Sequence, residues 1–103
     1  MRVVWARSAI VDLEAIAEFI RHDSPHYAAV TVSRLAKAAR PLESFPRMGR
    51  RVPEAESDDV RELIVGSYRL MYRLQAEQIL VVAVIHGRRD LGSLGEPWDP
   101  SQR

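Results

Sequence analysis

The sequence predicts an α+β fold in which a helical hairpin packs on one face of a small antiparallel sheet. Three observations carry this expectation. Two consecutive segments place apolar residues every three or four positions, two strand-like runs meet at Gly66-Ser67, and Ile79–Ile85 is continuously apolar. The implied order is β-α-α-β-β-β, with the helices on one side of the strands.

Arg2–Trp5 is a short β-prone opening. Ser8 is placed to cap a first helix along which Ile10, Leu13, Ile16, Ala17 and Ile20 recur, with Asp12, Glu14, Glu18 and Arg21 on its other faces. Asp23-Ser24-Pro25 ends it and starts a second, with Ser24 as N-cap and Pro25 at the first helical position. There Ala28, Val32, Leu35, Ala39 and Leu42 form one seam, and Pro41 predicts a kink or an early stop near Arg40. Pro46 to Asp59 reads as a loop, basic at Arg47, Arg50 and Arg51, then acidic at Glu54, Glu56, Asp58 and Asp59.

Strands follow at Arg61–Val65, Tyr68–Gln75 and Ile79–His86. A glycine first in a two-residue connection favours a hairpin between the first two. Unbroken apolarity in the third suits a strand covered on both faces. Pairing Val65 with Tyr68 puts Leu63, Val65, Tyr68, Leu70, Tyr72 and Leu74, with Arg61, toward the helices. Glu62, Ile64, Arg69, Met71 and Arg73 then share the other face, which is expected to be open to a ligand.

A chain of 103 residues suits one domain, taken as residues 1–91 with a loosely packed tail at 92–103 rich in Gly and Pro. Cysteine is absent, which removes disulfides and thiolate metal sites. Three scattered histidines make no metal site, no glycine-rich phosphate loop occurs, and neither metal nor cofactor is expected. The opening residues do not read as a signal peptide and no apolar run is long enough to span a bilayer. The expected location is the cytoplasm, without membrane contact. Fourteen arginines stand against one lysine, yet net charge is only +1, so charge clustering rather than total charge bears on partners.

The run Val60-Arg61-Glu62-Leu63-Ile64-Val65-Gly66-Ser67-Tyr68-Arg69-Leu70-Met71-Tyr72-Arg73 resembles the central signature of the ParE/RelE toxins. Ile79–His86 with Gly87-Arg88-Arg89-Asp90-Leu91 is similar to the last strand and turn of the ParE branch, and Phe45-Pro46-Arg47-Met48-Gly49-Arg50 to the family's exit from the second helix. The resemblance covers about residues 2–91. It implies a growth-inhibiting toxin of a type II toxin–antitoxin system, of the kind that stabilises plasmids or chromosomal segments. A small, helix-bearing antitoxin with an acidic tail would hold it silent in a hetero-oligomeric complex.

Two modes of poisoning go with this fold. ParE-like members bind DNA gyrase and trap it on cleaved DNA; RelE-like members enter the ribosome and cut messenger RNA without a metal. RNA cleavage needs a base for the 2′-hydroxyl, an acid for the leaving oxygen and cations around the phosphorane. By the resemblance, Arg69 and Arg89 match phosphate-binding positions, with Glu62 and His86 as the residues left for proton transfer. No tyrosine follows Tyr72, so the usual C-terminal acid is missing. The expectation is therefore a gyrase-binding toxin that contacts its target through Arg69, Arg73, Arg88, Arg89 and Asp90. Arg47, Arg50, Arg88 and Arg89 are the expected antitoxin contacts. The alternatives are a ribosome-associated endoribonuclease, or a detoxified member acting only in antitoxin or operator complexes.

Overall fold

The computed structural model describes residues 1–103. Strand β1 (Arg2–Trp5) leads into helices α1 (Arg7–Arg21) and α2 (Pro25–Ala39), then β2 (Arg50–Arg51), β3 (Val60–Val65), β4 (Tyr68–Leu74) and β5 (Gln78–His86). The five strands form one sheet in the order β1-β5-β4-β3-β2. The predicted helical hairpin and the three consecutive strands are all present. The sheet is mixed rather than antiparallel, because β1 runs parallel to β5, with Arg2 opposite Gln78 and Trp5 opposite Val81. The fifth strand, β2, falls inside the expected loop and pairs Arg50 with Glu62.

The second helix starts as its sequence dictates. Ser24 accepts a hydrogen bond from the Tyr27 N–H at 3.1 Å, Pro25 occupies the first turn, and the helix passes into a 3-10 turn at Arg40–Glu43. The first does not. It begins at Arg7 behind Ala6, without a side-chain cap, and Ser8 donates instead to the Val82 carbonyl at 2.7 Å. Asp12, expected on an outer face, turns toward the sheet and accepts the Val84 N–H at 2.9 Å. Its place between Ala9 and Ile16, at helical spacing on the packing side, was the available signal.

Side-chain parity on β3 and β4 is as expected, and it builds two cores instead of one. Leu35, Ala39 and Leu42 from the helical side pack on Leu70, Tyr72, Ile79, Val81 and Val84. On the opposite face Met71, Val82, Ala83 and Ile85 are covered by Val52 and Val60 and by Leu91 and Trp98. A bulge enables the second core: opposite Met71–Tyr72 the β5 register skips from Ala83 to Val81, so Val82 and Ala83 both join that side. The far face is therefore covered, contrary to the open surface expected. The tail packs tightly too, with Trp98 only 8% exposed and Pro97 buried.

A close approach fixes the segment leading to β2. Gly49 donates its N–H to the Tyr72 hydroxyl at 3.0 Å, and that hydroxyl donates to the Pro46 carbonyl at 2.8 Å. A Cβ on Gly49 would lie 2.6 Å from both the Glu62 carbonyl oxygen and the Tyr72 oxygen. Gly49→Ala is expected to cost about 1–3 kcal/mol. Trp98→Ala, which opens the second core, is expected to cost roughly 2–4 kcal/mol. Urea denaturation of each variant measures both, and a cost below 0.5 kcal/mol for Trp98→Ala (on the order of surface changes) would show that the tail does not support the sheet.

Candidate functional site

The densest polar cluster lies where β2, β3 and β4 meet the Pro53–Ala55 turn. Glu62 and Arg69 are near neighbours because Glu62 stands opposite Met71 and Ile64 opposite Arg69. The Glu62 side chain is fully buried, its two oxygens accepting Arg69 Nε at 2.6 Å and Arg50 Nε at 2.7 Å. Glu54 then accepts from both terminal nitrogens of Arg69, at 2.9 and 3.1 Å. This parallel two-bond fork is the strongest geometry available to an arginine–carboxylate pair. Arg69 is left with 11% of its side chain exposed.

The electrostatics follow from those contacts. The hydrogen bonds that Arg69 donates to Glu54 first, and then the one it donates to Glu62, outweigh the opposing effect of burial and bind the Arg69 proton more firmly than in free arginine. In return the Arg69 hydrogen bonds hold Glu54 below the usual glutamate range. A guanidinium ringed by two carboxylates offers little net positive charge to a phosphate.

The other expected site residues are spread over the molecule. Arg73 is partly buried, with Nη1 at 3.4 Å from the Trp98 carbonyl beneath the tail. Arg69 and Arg73 do point away from the helices, as expected, but the turn at 53–55 and the tail lie over them, so neither is presented as expected. Arg88 and Arg89 are exposed and form no ion pair, whereas Asp90 caps its own turn by accepting the Gly92 N–H at 2.9 Å. His86 is exposed, its ring edge-on to Tyr68 with centroids 5.6 Å apart, and its Nδ1 accepts the Arg88 N–H at 3.2 Å. In the basic loop Arg47 is exposed, Arg50 is held by Glu62, and Arg51 pairs with Asp58 at 3.0 Å. Glu62, Arg69 and Arg50 thus come together, while His86, Arg88 and Arg89 form a separate group at the end of β5.

Sequence reasoning missed Glu54, which was one acid among four in a loop, and nothing in local pattern singled it out. It also missed the pairing of Arg103 with Asp12, which ties residues 91 positions apart. No group of three or more His, Asp or Glu side chains has a metal-holding arrangement. No helix is long and apolar enough to cross a membrane.

The sequence matches, over residues 3–91, the family described as ParE toxin of type II toxin-antitoxin system, parDE. The chain belongs to the ParE toxin family. It is 33% identical over 89 residues to Toxin RelE2 of Caulobacter vibrioides, covering 85% of this chain and 97% of that protein. It is 24% identical over 93 residues to Toxin ParE3 of the same species, covering 89% and 92%. Its structure resembles the chromosomal ParDE toxin–antitoxin system of P. aeruginosa, with a TM-score of 0.71, 24% identity and coverage of 84% of this chain and 95% of that one. The RelBE2 toxin–antitoxin complex of Mycobacterium tuberculosis superposes with a TM-score of 0.56 at 24% identity, covering 82% and 95%. At that identity the structural likeness establishes the fold alone. The family assignment makes the chain a type II toxin, while relatives named for both branches leave the target to be argued from the site.

The Glu54–Arg69 pair gives this family member a signature in acid. Because the folded Glu54 value is depressed, its contribution is complete above the unfolded glutamate range and vanishes as pH falls through the folded value. Glu54 is 42% exposed, so solvent screening limits that contribution to about 0.5–1 kcal/mol. Glu54→Gln is expected to flatten the stability curve by this amount between about pH 5 and pH 2. Urea midpoints at half-unit pH steps measure it, and identical curves for both proteins would disprove the assignment.

Proposed function

We propose that this toxin acts by binding, as a ParE-like inhibitor of DNA gyrase, and that a cognate antitoxin silences it. The single observation that carries this reading is the state of Arg69. The position that matches a phosphate-binding arginine of RelE-like members is tied to Glu54 and Glu62 and lies under the Pro53–Ala55 turn. Glu62, the nearest possible base, already accepts an arginine N–H on each oxygen. His86 stands with Arg88 in another group, and no tyrosine follows Tyr72. These contacts favour an interaction protein over an enzyme, acting in the cytoplasm where gyrase works.

Under this reading the target contact moves to the exposed Arg88–Arg89 turn, while Arg69 is engaged by Glu54 and Glu62 and Arg73 by the Trp98 carbonyl. Antitoxin capture draws on the same turn, on Arg47, and on the exposed apolar residues of α1, where Phe19 is 78% exposed. An extended partner that folds on the toxin would bury such a face, and an acidic tail would meet the two free arginines.

The alternative, a ribosome-associated endoribonuclease, has in its favour the 33% identical relative named RelE2. Induced expression followed by two assays separates the readings: supercoiling by purified gyrase, and mapping of message ends on translating ribosomes. Gyrase inhibition without new message ends is the expected result. Codon-phased cuts with gyrase untouched would reverse it. An Arg88→Ala, Arg89→Ala variant is expected to keep its stability within about 0.5 kcal/mol and to lose growth arrest. Arg88→Glu with Arg89→Glu should weaken antitoxin binding at least tenfold by calorimetry, and unchanged affinity would remove the turn from that interface.

A further inference from the structure

At the end of the sheet where the β3–β4 turn meets α2, the chain forms a polar recess of about 180 Å³. Its walls include Tyr27, Thr31 and Arg34 from the helix, Ser67 from the turn, and Tyr68 and His86 from the neighbouring strands. No carboxylate lines it. The site is distinct from the Glu62 cluster, which lies on the other face of the sheet.

Arg34 is the cation of the recess. Arg50, Arg51, Arg61, Arg69 and Arg103 all lie within ion-pair distance of a carboxylate, but Arg34 has neither an ion pair nor a hydrogen bond within the chain. Its own helix explains this, since α2 contains no Asp or Glu that could reach it from three or four residues away. Nη1 lies 3.8 Å from where a Cβ on Gly66 would stand, so the guanidinium is held against the hairpin turn. That glycine has a φ of +59°, a backbone conformation that itself disfavours a side chain.

Around this unpaired cation stand hydroxyl groups that also lack partners within the chain. Those of Tyr27, Tyr68 and Thr31 make no internal hydrogen bond, and none is sealed from solvent. The Tyr68 phenol is pushed up by burial and by the nearby Tyr27. His86, whose Nδ1 accepts the Arg88 N–H, completes the rim of the recess. A guanidinium fork with several rotatable O–H donors matches an anion with more oxygens than a carboxylate presents. The volume lies below the roughly 300–1,000 Å³ of sites that enclose a drug-sized ligand. A phosphate group fits inside; a base or sugar attached to it would remain at the rim beside Tyr27.

We propose that the recess formed by Arg34, Tyr27, Tyr68 and the Gly66-Ser67 turn is a binding site for a phosphate group, free or as a terminal monoester. Amide and arginine side-chain NMR shifts of the purified chain, titrated with sodium phosphate against sodium chloride at matched ionic strength, test it. Saturable shifts at Ser67, Tyr68 and the Arg34 side chain are expected. Arg34→Ala should weaken binding at least tenfold, and Tyr68→Phe, which removes one hydroxyl without emptying the core, about threefold (on the order of one neutral hydrogen bond). Arg47→Ala, at the opposite end of the sheet, should leave binding unchanged. Adenosine 5′-monophosphate identifies the source: tighter binding than inorganic phosphate, with shifts at Tyr27, supports a nucleotide end, and equal or weaker binding supports the free ion. Three results would overturn the site: equal shifts with chloride, affinity insensitive to both Arg34→Ala and Tyr68→Phe, or succinate binding as tightly as phosphate.

Discussion

A carboxylate with no solvent contact, Glu62, organises one whole side of this protein. A buried charge is tolerated only when its oxygens are satisfied, and here two arginines from different strands do so. Arg50 reaches Glu62 from the short edge strand and thereby secures the loop that precedes it. Arg69 reaches it from the next strand and carries Glu54 with it, which seats the Pro53–Ala55 turn over the sheet. Losing the carboxylate would leave the Arg69 guanidinium held by Glu54 alone and Arg50 without its partner. The seating of the short edge strand and that of the Pro53–Ala55 turn both run through that one group.

The same arrangement separates fold from activity within the family. An arginine on this strand is useful to a ribonuclease only if its charge is available to a scissile phosphate. In this chain two acids take up that charge and an apolar layer shields it. The shared signature therefore marks shared architecture, while the exposed arginines at the end of β5 form no ion pair.

Much of the architecture was legible because short-range rules govern it. The Ser24-Pro25 start, the stop before Pro41, the Gly66-Ser67 hairpin and the alternation along β3 and β4 each follow from a few adjacent residues. What escaped depends on long-range meetings. The parallel docking of β1 needs the whole chain to return before it exists. The covering of the far face hinges on where Trp98 lands, and composition alone made that segment look loose. Arg69 was correctly assigned to the side away from the helices, as its diagonal relation to Glu62 required. That Glu54 would complete the fork, and that Arg34 would be left without one, became visible only in three dimensions.

The bulge at Val82 has an effect beyond core packing. Strand β1 ends beside Val81, so the remainder of β5 forms an uncovered margin of the sheet. Side chains, not a sixth strand, occupy its polar groups: Ser8 and Arg103 take the Val82 oxygen, and Asp12 takes the Val84 nitrogen. A foreign β-segment seeking to extend the sheet there would have to displace the Asp12 and Ser8 side chains first, which guards that margin against stacking of one copy on another.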